Sequence, residues 1–185
     1  MKELKIFSWL FFVSPILLFE CGETKDDDAI TEDTQVIKID ACQLITPSDL
    51  SAIAGAELQP LETTNLEGND FYHYVSLCGF YQGDMIVTIR LGQRKTVVDP
   101  VKRRDSAIQM QEEEANVFST QAIDISGLPG LYYEEKDTDI NLTMNVIMFY
   151  AGQFETTLIC TQDITKSQMI KISEKIAASV VAKSK

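Results

Sequence analysis

Hydrophobic positions follow three regimes along this chain: one apolar block near the start, then runs of period two, then a run of period three and four. The block spans Ile6 to Phe19 and is broken only by Ser8, Ser14 and Pro15. Residues 22–40 show no apolar periodicity and an excess of Asp, Glu and Thr. Beyond them, Phe71 to Tyr81 and Met85 to Leu91 read as a hairpin turning at Gln82-Gly83-Asp84. Its second arm alternates Met85, Val87, Ile89 and Leu91 with Ile86, Thr88 and Arg90, the period of a half-buried strand. The longest alternation places Ile140, Leu142, Met144, Val146, Met148 and Tyr150 on one face and Asn141, Thr143, Asn145 and Ile147 on the other. Ala151-Gly152 then turns the chain back through a strand from Phe154 to Cys160.

Three helices punctuate these strands. Thr46-Pro47-Ser48-Asp49 is a helix start, with Thr46 as N-cap, a proline at the first helical position and an acid where the helix dipole favours it. Leu50, Ile53 and Ala54 form its apolar stripe and Gly55 its stop. Asp99-Pro100 opens a second helix with a thin stripe of Val101, Ile108, Ala115 and Phe118. Its charges oppose the dipole, since Lys102, Arg103 and Arg104 sit at the positive end and Glu112, Glu113 and Glu114 at the negative end. Thr165 caps a long C-terminal helix whose Met169, Ile172, Ile176 and Val180 share one face. Gly127-Leu128-Pro129-Gly130 reads as a turn, followed by a strand near Leu131 to Glu135.

The predicted class is α+β: an antiparallel sheet of about five strands, packed by a short N-terminal helix, a middle helix and a long C-terminal helix. The apolar faces of the strands and of the last helix must find each other, so a sheet covered on one side by that helix is expected. Residues 41–185 have the length of a single domain with one core.

The N-terminal block is too short to cross a bilayer. Its helix would reach about 21 Å against roughly 30 Å of hydrocarbon, and with Lys2 and Lys5 before it residues 1–20 fit a signal peptide. Leu17-Leu18-Phe19-Glu20-Cys21-Gly22 resembles a bacterial lipoprotein box, in which the cysteine is lipidated and becomes the mature N-terminus. Glu20 departs from the small residue such boxes carry there, and ordinary secretion is the alternative. Lipidation at Cys21 would fix the chain to a membrane, because each buried CH₂ contributes about 0.8 kcal/mol and two or three acyl chains add up. Residues 21–40 are then the lipidated cysteine and an acidic tether. Lys25-Asp26-Asp27-Asp28 resembles the export tags that send some lipoproteins to the outer face of the outer membrane, and equally fits a segment repelled by anionic headgroups.

With 16 Lys+Arg against 28 Asp+Glu the net charge is −12, which argues against nucleic acid as a partner. Against that background Arg90, Arg94, Lys95, Lys102, Arg103 and Arg104 fall close together. A solvated helix face and a contact for an anionic partner both fit them. Of the four cysteines, Cys42, Cys78 and Cys160 remain to form one bridge in an oxidising compartment. Cys160 shares strand parity with Phe154 and Leu158, which makes it a core residue, and Cys78 has the opposite parity to Val75 and Leu77. That favours Cys42 with Cys78. Zinc lacks both a C-x₂₋₄-C spacing and a second histidine.

Asp40-Ala41-Cys42-Gln43-Leu44-Ile45-Thr46, the helix with Leu50 and Gly55, Cys78-Gly79-Phe80, the Gly127–Gly130 turn and the closing amphipathic helix together resemble small, mostly uncharacterised bacterial lipoproteins with a PsbP-like α/β fold. The resemblance covers residues 40 to about 182. It implies a binding or accessory role outside the cytoplasm and a bridge from the first cysteine to the one before the aromatic. Cys160 is an addition to that pattern.

No catalytic, metal or cofactor motif stands out. His73, the single histidine, lies among Tyr72, Tyr74 and Val75 without a nucleophile motif. Glu134-Glu135 and Asp137-Asp139 are acids of a polar turn region, and Asp137-Thr138-Asp139-Ile140-Asn141 lacks the glycine and closing acid of a calcium loop. The expected function is a binding or accessory protein lipid-anchored in the bacterial cell envelope, at the outer membrane, whose partners are that membrane and an envelope protein or ligand. The alternative is an envelope hydrolase whose carboxylates meet only in the fold, marked by a buried acid pair in a pocket.

Overall fold

The computed structural model describes residues 35–61, 63–137 and 142–185. Cys21, the leader, most of the acidic segment and the Asp139–Asn141 stretch lie outside the described residues.

A short 3₁₀ turn at Ala41–Gln43 leads to α1 (Pro47–Ala54), and strands β1 (Gln59–Pro60), β2 (Thr64–Glu67), β3 (Tyr72–Gln82) and β4 (Met85–Arg94) follow. Helix α2 (Pro100–Glu113) precedes β5 (Val117–Ile125), β6 (Leu128–Asp137), β7 (Leu142–Ala151) and β8 (Phe154–Thr161), and α3 (Lys166–Lys183) closes the domain. The strands form one sheet in the order β1-β3-β4-β8-β7-β6-β5, with β2 also on the outer edge of β3. Every pairing is antiparallel. The class is therefore α+β as expected, with eight strands among the described residues rather than about five.

The three additional strands, β1, β2 and β5, are edge elements. β1 and β2 are fully exposed and β5 is a mixture of exposed and half-buried positions up to the buried Ile125, and they are held by ladder hydrogen bonds to β3 and β6. Burial did not pattern their sequences, so period two is faint in them. The turn before β6 also sits earlier than expected. Ser126 and Gly127, both with positive φ, make the bend, and Leu128 and Pro129 are already paired with Ile125 and Asp124. A two-residue hairpin of this hand needs positive φ at both central positions, which glycine supplies without strain. Helix α2 stops at Glu113, so Ala115 lies beyond it and Phe118 is on β5 with its side chain exposed.

Helices cover both faces of the sheet, not one. On the first face, α3 lays Met169, Ile172, Ile176 and Val180 on Cys78, Phe80, Ile89, Leu91, Ile147, Phe149 and Leu158. On the second face, Ala107 and Ile108 of α2 pack on Leu131, Tyr133, Met144, Val146, Tyr150 and Ile159. β7 is thus buried on both sides, and its seemingly polar side faces α3. Asn145 is tolerated there because its amide donates to the Ile164 carbonyl at 3.2 Å and accepts from the Tyr132 hydroxyl at 3.1 Å.

The caps anticipated from sequence form as expected. Thr46 Oγ1 accepts from the Asp49 amide at 3.1 Å, and Asp99 Oδ1 accepts from the amides of Val101 and Lys102. Thr165 and Gln168 make a reciprocal capping box. The Gln168 side chain also donates to the carbonyls of Ile53 and Ala54, meeting the otherwise unpaired end of α1.

Residues 35–40, read from composition as the end of the tether, are fixed to the core. Ile39 is buried, Ile37 packs beside it, and Gln93 bonds the backbone on both sides through Ile37 N and Gln35 O. A disulfide joins Cys42 to Cys78 of β3, with a Cα–Cα distance of 5.1 Å, and Cys160 is a buried free thiol on the same face. Burial pushes that thiol's pKa up, so it stays protonated and inert. The closed loop spans 36 residues, for which the chain-entropy view gives roughly 4 kcal/mol. Cys42→Ala/Cys78→Ala should lose roughly 3–4 kcal/mol in urea denaturation of the full chain, against about 1 kcal/mol for Cys160→Ala. Equal losses would mean that the bridge contributes no more than the packing of one buried cysteine side chain.

Candidate functional site

The second face of β4 carries Arg90, Gly92 and Arg94 at alternate positions, opposite the Val87, Ile89 and Leu91 that enter the main core. Across the ladder, β8 places Glu155 beside Gly92, and β7 places Tyr150 beside Glu155. β3 contributes Tyr72, paired with Arg94. The first turn of α2 brings Arg103 down from above.

Gly92 is what lets this cluster close. A Cβ there would stand 2.6 Å from Tyr72 Cε1, so only glycine leaves room for the tyrosine ring to lie across the strand. That ring supports two guanidinium groups, Arg90 at 4.6 Å and Arg94 at 5.0 Å from its centroid.

Glu155, 4 % exposed, is the anion at the centre. Its Oε1 accepts from the Tyr72 hydroxyl at 2.6 Å and from Arg90 Nη1 at 3.2 Å. Its Oε2 accepts from Arg94 Nη1 at 3.2 Å and lies 3.7 Å from Arg103 Nη2. Burial by itself would raise the Glu155 pKa, yet Arg90, Arg94 and Arg103, helped by the Tyr72 hydroxyl, hold it below the usual carboxylate value. Burial and the neighbouring Glu155 push Tyr72 and Tyr150 the other way, so both hydroxyls keep their protons.

Three guanidiniums thus face one carboxylate. The outer side of the cluster opens on a small pocket, with room for about 10 Å³, lined by Arg94, Arg103, Pro100, Tyr150, Gln153 and Phe154 among others. Arg94 Nε, the Tyr150 hydroxyl and Gln153 Oε1 are buried at this pocket without hydrogen-bond partners. They are three of seven such buried side-chain atoms among the described residues. Unmet polar atoms are rare in folded interiors, and their meeting at one pocket sets this place apart.

The basic run noted in the sequence therefore divides. Arg90, Arg94 and Arg103 converge on Glu155, whereas Arg104 turns to Asp105 at 2.7 Å. Glu155 went unnoticed in the sequence, although an acid between Phe154 and Leu158 in a strand of buried residues was a usable signal. His73 sits at a bulge in β3, between Tyr72 and Tyr74, with Nε2 buried and unmet, away from any acid–nucleophile pair among the described residues. Glu135 is buried and accepts from Asn116 at 3.1 Å. It pairs across to Met144 while Glu155 pairs to Tyr150, which sets the two buried acids about 20 Å apart along β7. Among the described residues no group of three His, Cys, Asp or Glu gathers to hold a metal, and no helix is long and apolar enough to cross a membrane.

What the fold defines is an α+β domain with an antiparallel sheet between helices and a cationic pocket at one end. No family model matches the chain, and no curated protein does. Among solved structures, the extracellular domain of PknH from Mycobacterium tuberculosis superposes with a TM-score of 0.50 at 10 % identity, over 76 % of this chain and 94 % of that one. The likeness is one of fold.

Proposed function

We propose that this protein is a binding or accessory domain of the bacterial cell envelope, lipid-anchored through Cys21 at the outer membrane and related to the small PsbP-like lipoproteins. One observation carries the binding role: the fold gathers three arginines and two tyrosines around a single carboxylate and leaves donors unmet at a pocket. Guanidiniums and hydroxyls with unmet hydrogen-bonding capacity are groups that recognise an anion by charge and by hydrogen bonding. The apolar leader with its lipobox-like end supports the address, and a fold shared with the extracellular domain of a mycobacterial kinase agrees with it.

Palmitate labelling of producing cells tests the anchor. Wild type should carry the label and sediment with membranes, and Cys21→Ser should lose both properties. Equal labelling of the two would refute the anchor.

A further inference from the structure

We infer that the pocket between the β4–α2 connection and the start of β8 binds a phosphoryl group, with Arg94, Arg103 and Tyr150 as its donors; this rests on the binding role proposed above and names its ligand class. The charge balance selects the ligand. Arg90, Arg94 and Arg103 carry three positive charges against one negative charge on Glu155, leaving a surplus of two in a partly desolvated place. A phosphate monoester bears about −1.5 to −2 near neutral pH and matches that surplus, whereas a carboxylate would cancel half of it. Of the nearby acids, Asp105 pairs with Arg104, and Asp99 carries a charge that it directs to the amides of Val101 and Lys102 at the start of α2.

The donor geometry points the same way. Arg94 uses Nη1 on Glu155 and Tyr72, and its Nε remains unmet at the pocket. Arg103 reaches Glu155 only at ion-pair distance and is the most exposed of the three guanidiniums, with 23 % of its side chain accessible. The Tyr150 hydroxyl, in a residue 3 % exposed, adds a neutral donor with no partner of its own. Gln153 lines the same pocket and can offer its NH₂ or its carbonyl oxygen by turning its amide. Space for about 10 Å³ admits a water or the leading oxygens of a phosphoryl group, so the body of a ligand would stay outside. A single water satisfies the unmet atoms but leaves the two surplus charges without a counter-charge.

Calorimetric titration of the full chain in detergent, in low salt, tests this with inorganic phosphate, glycerol 3-phosphate and acetate, and flotation with phosphatidate-containing vesicles adds the lipid source. One saturable site for at least one phosphoryl probe is expected, at least tenfold tighter than acetate. The probe that binds tightest tells a free phosphate from an esterified or lipid-borne one. Arg103→Gln should weaken binding by tenfold or more and Tyr150→Phe by about threefold to tenfold. Tyr150→Phe removes a hydroxyl that has no partner, so it should fold as the wild type does. Absence of saturable binding, acetate binding as tightly as phosphate, or unchanged affinity in both variants would overturn the assignment. Palmitate labelling is read independently, so a failed phosphoryl site leaves the envelope anchor standing, and the reverse holds too.

Discussion

Glu155→Leu is expected to lower the stability of the full chain by about 5 kcal/mol at neutral pH, near the top of the range for breaking a buried ion pair. The loss arises less from the missing bonds than from what stays behind. The side chains of Arg90 and Arg94 are 7 % and 15 % accessible, and with the carboxylate gone their guanidiniums face each other and Arg103 without a counter-charge. The Tyr72 hydroxyl also loses its acceptor. Glu155→Gln keeps an oxygen for some of these donors and should fall between variant and wild type. The same group sets an acid dependence. Its folded pKa lies below the unfolded value, so its contribution is complete above the unfolded value and is lost as pH falls through the folded one. Urea midpoints from pH 7 down to pH 3 should therefore fall more steeply for wild type than for Glu155→Leu. Coincident midpoints at pH 7 would show that the arginines are solvated and the cluster is not structural.

How far the sequence revealed this depends on whether an element carries its own burial signature. α1, α3 and the β3–β4 hairpin were legible because one face of each is apolar and their ends carry Thr46, Thr165, Gly83 and Gly55. β2 and β5 were not, since their places are fixed by hydrogen bonds to a neighbour and few of their side chains are buried. The second layer was hidden for a related reason. Helix α2 buries no residue fully, and its stripe of Ala107 and Ile108 is too thin to announce a face. The site was half visible: the crowding of Arg90, Arg94 and Arg103 in an acidic chain marked the region. Their convergence on Glu155 needed the β4–β8 pairing, which joins residues 60 and more positions apart. Local spacing cannot supply such a contact.

The main core makes the second large prediction. Ile176 lies midway along α3, fully buried, within the cluster that includes Phe149, Leu158 and Leu91. Ile176→Asp removes roughly 2–3 kcal/mol of burial and adds the cost of placing a carboxyl group inside the apolar cluster. Protonation would relieve part of that cost by raising the new group's pKa. A loss of about 5 kcal/mol at neutral pH is expected, easing toward pH 5 as the acid takes up its proton, opposite in sign to the behaviour of Glu155. Ile176→Val serves as the control, with a loss of about 1 kcal/mol. The pair separates burial from helix formation, because valine and aspartate differ little in intrinsic helix propensity and an exposed position would leave both variants within about 0.5 kcal/mol of wild type. Urea midpoints that fail to separate Ile176→Asp from Ile176→Val would place this face of α3 in water and remove the first layer of the fold.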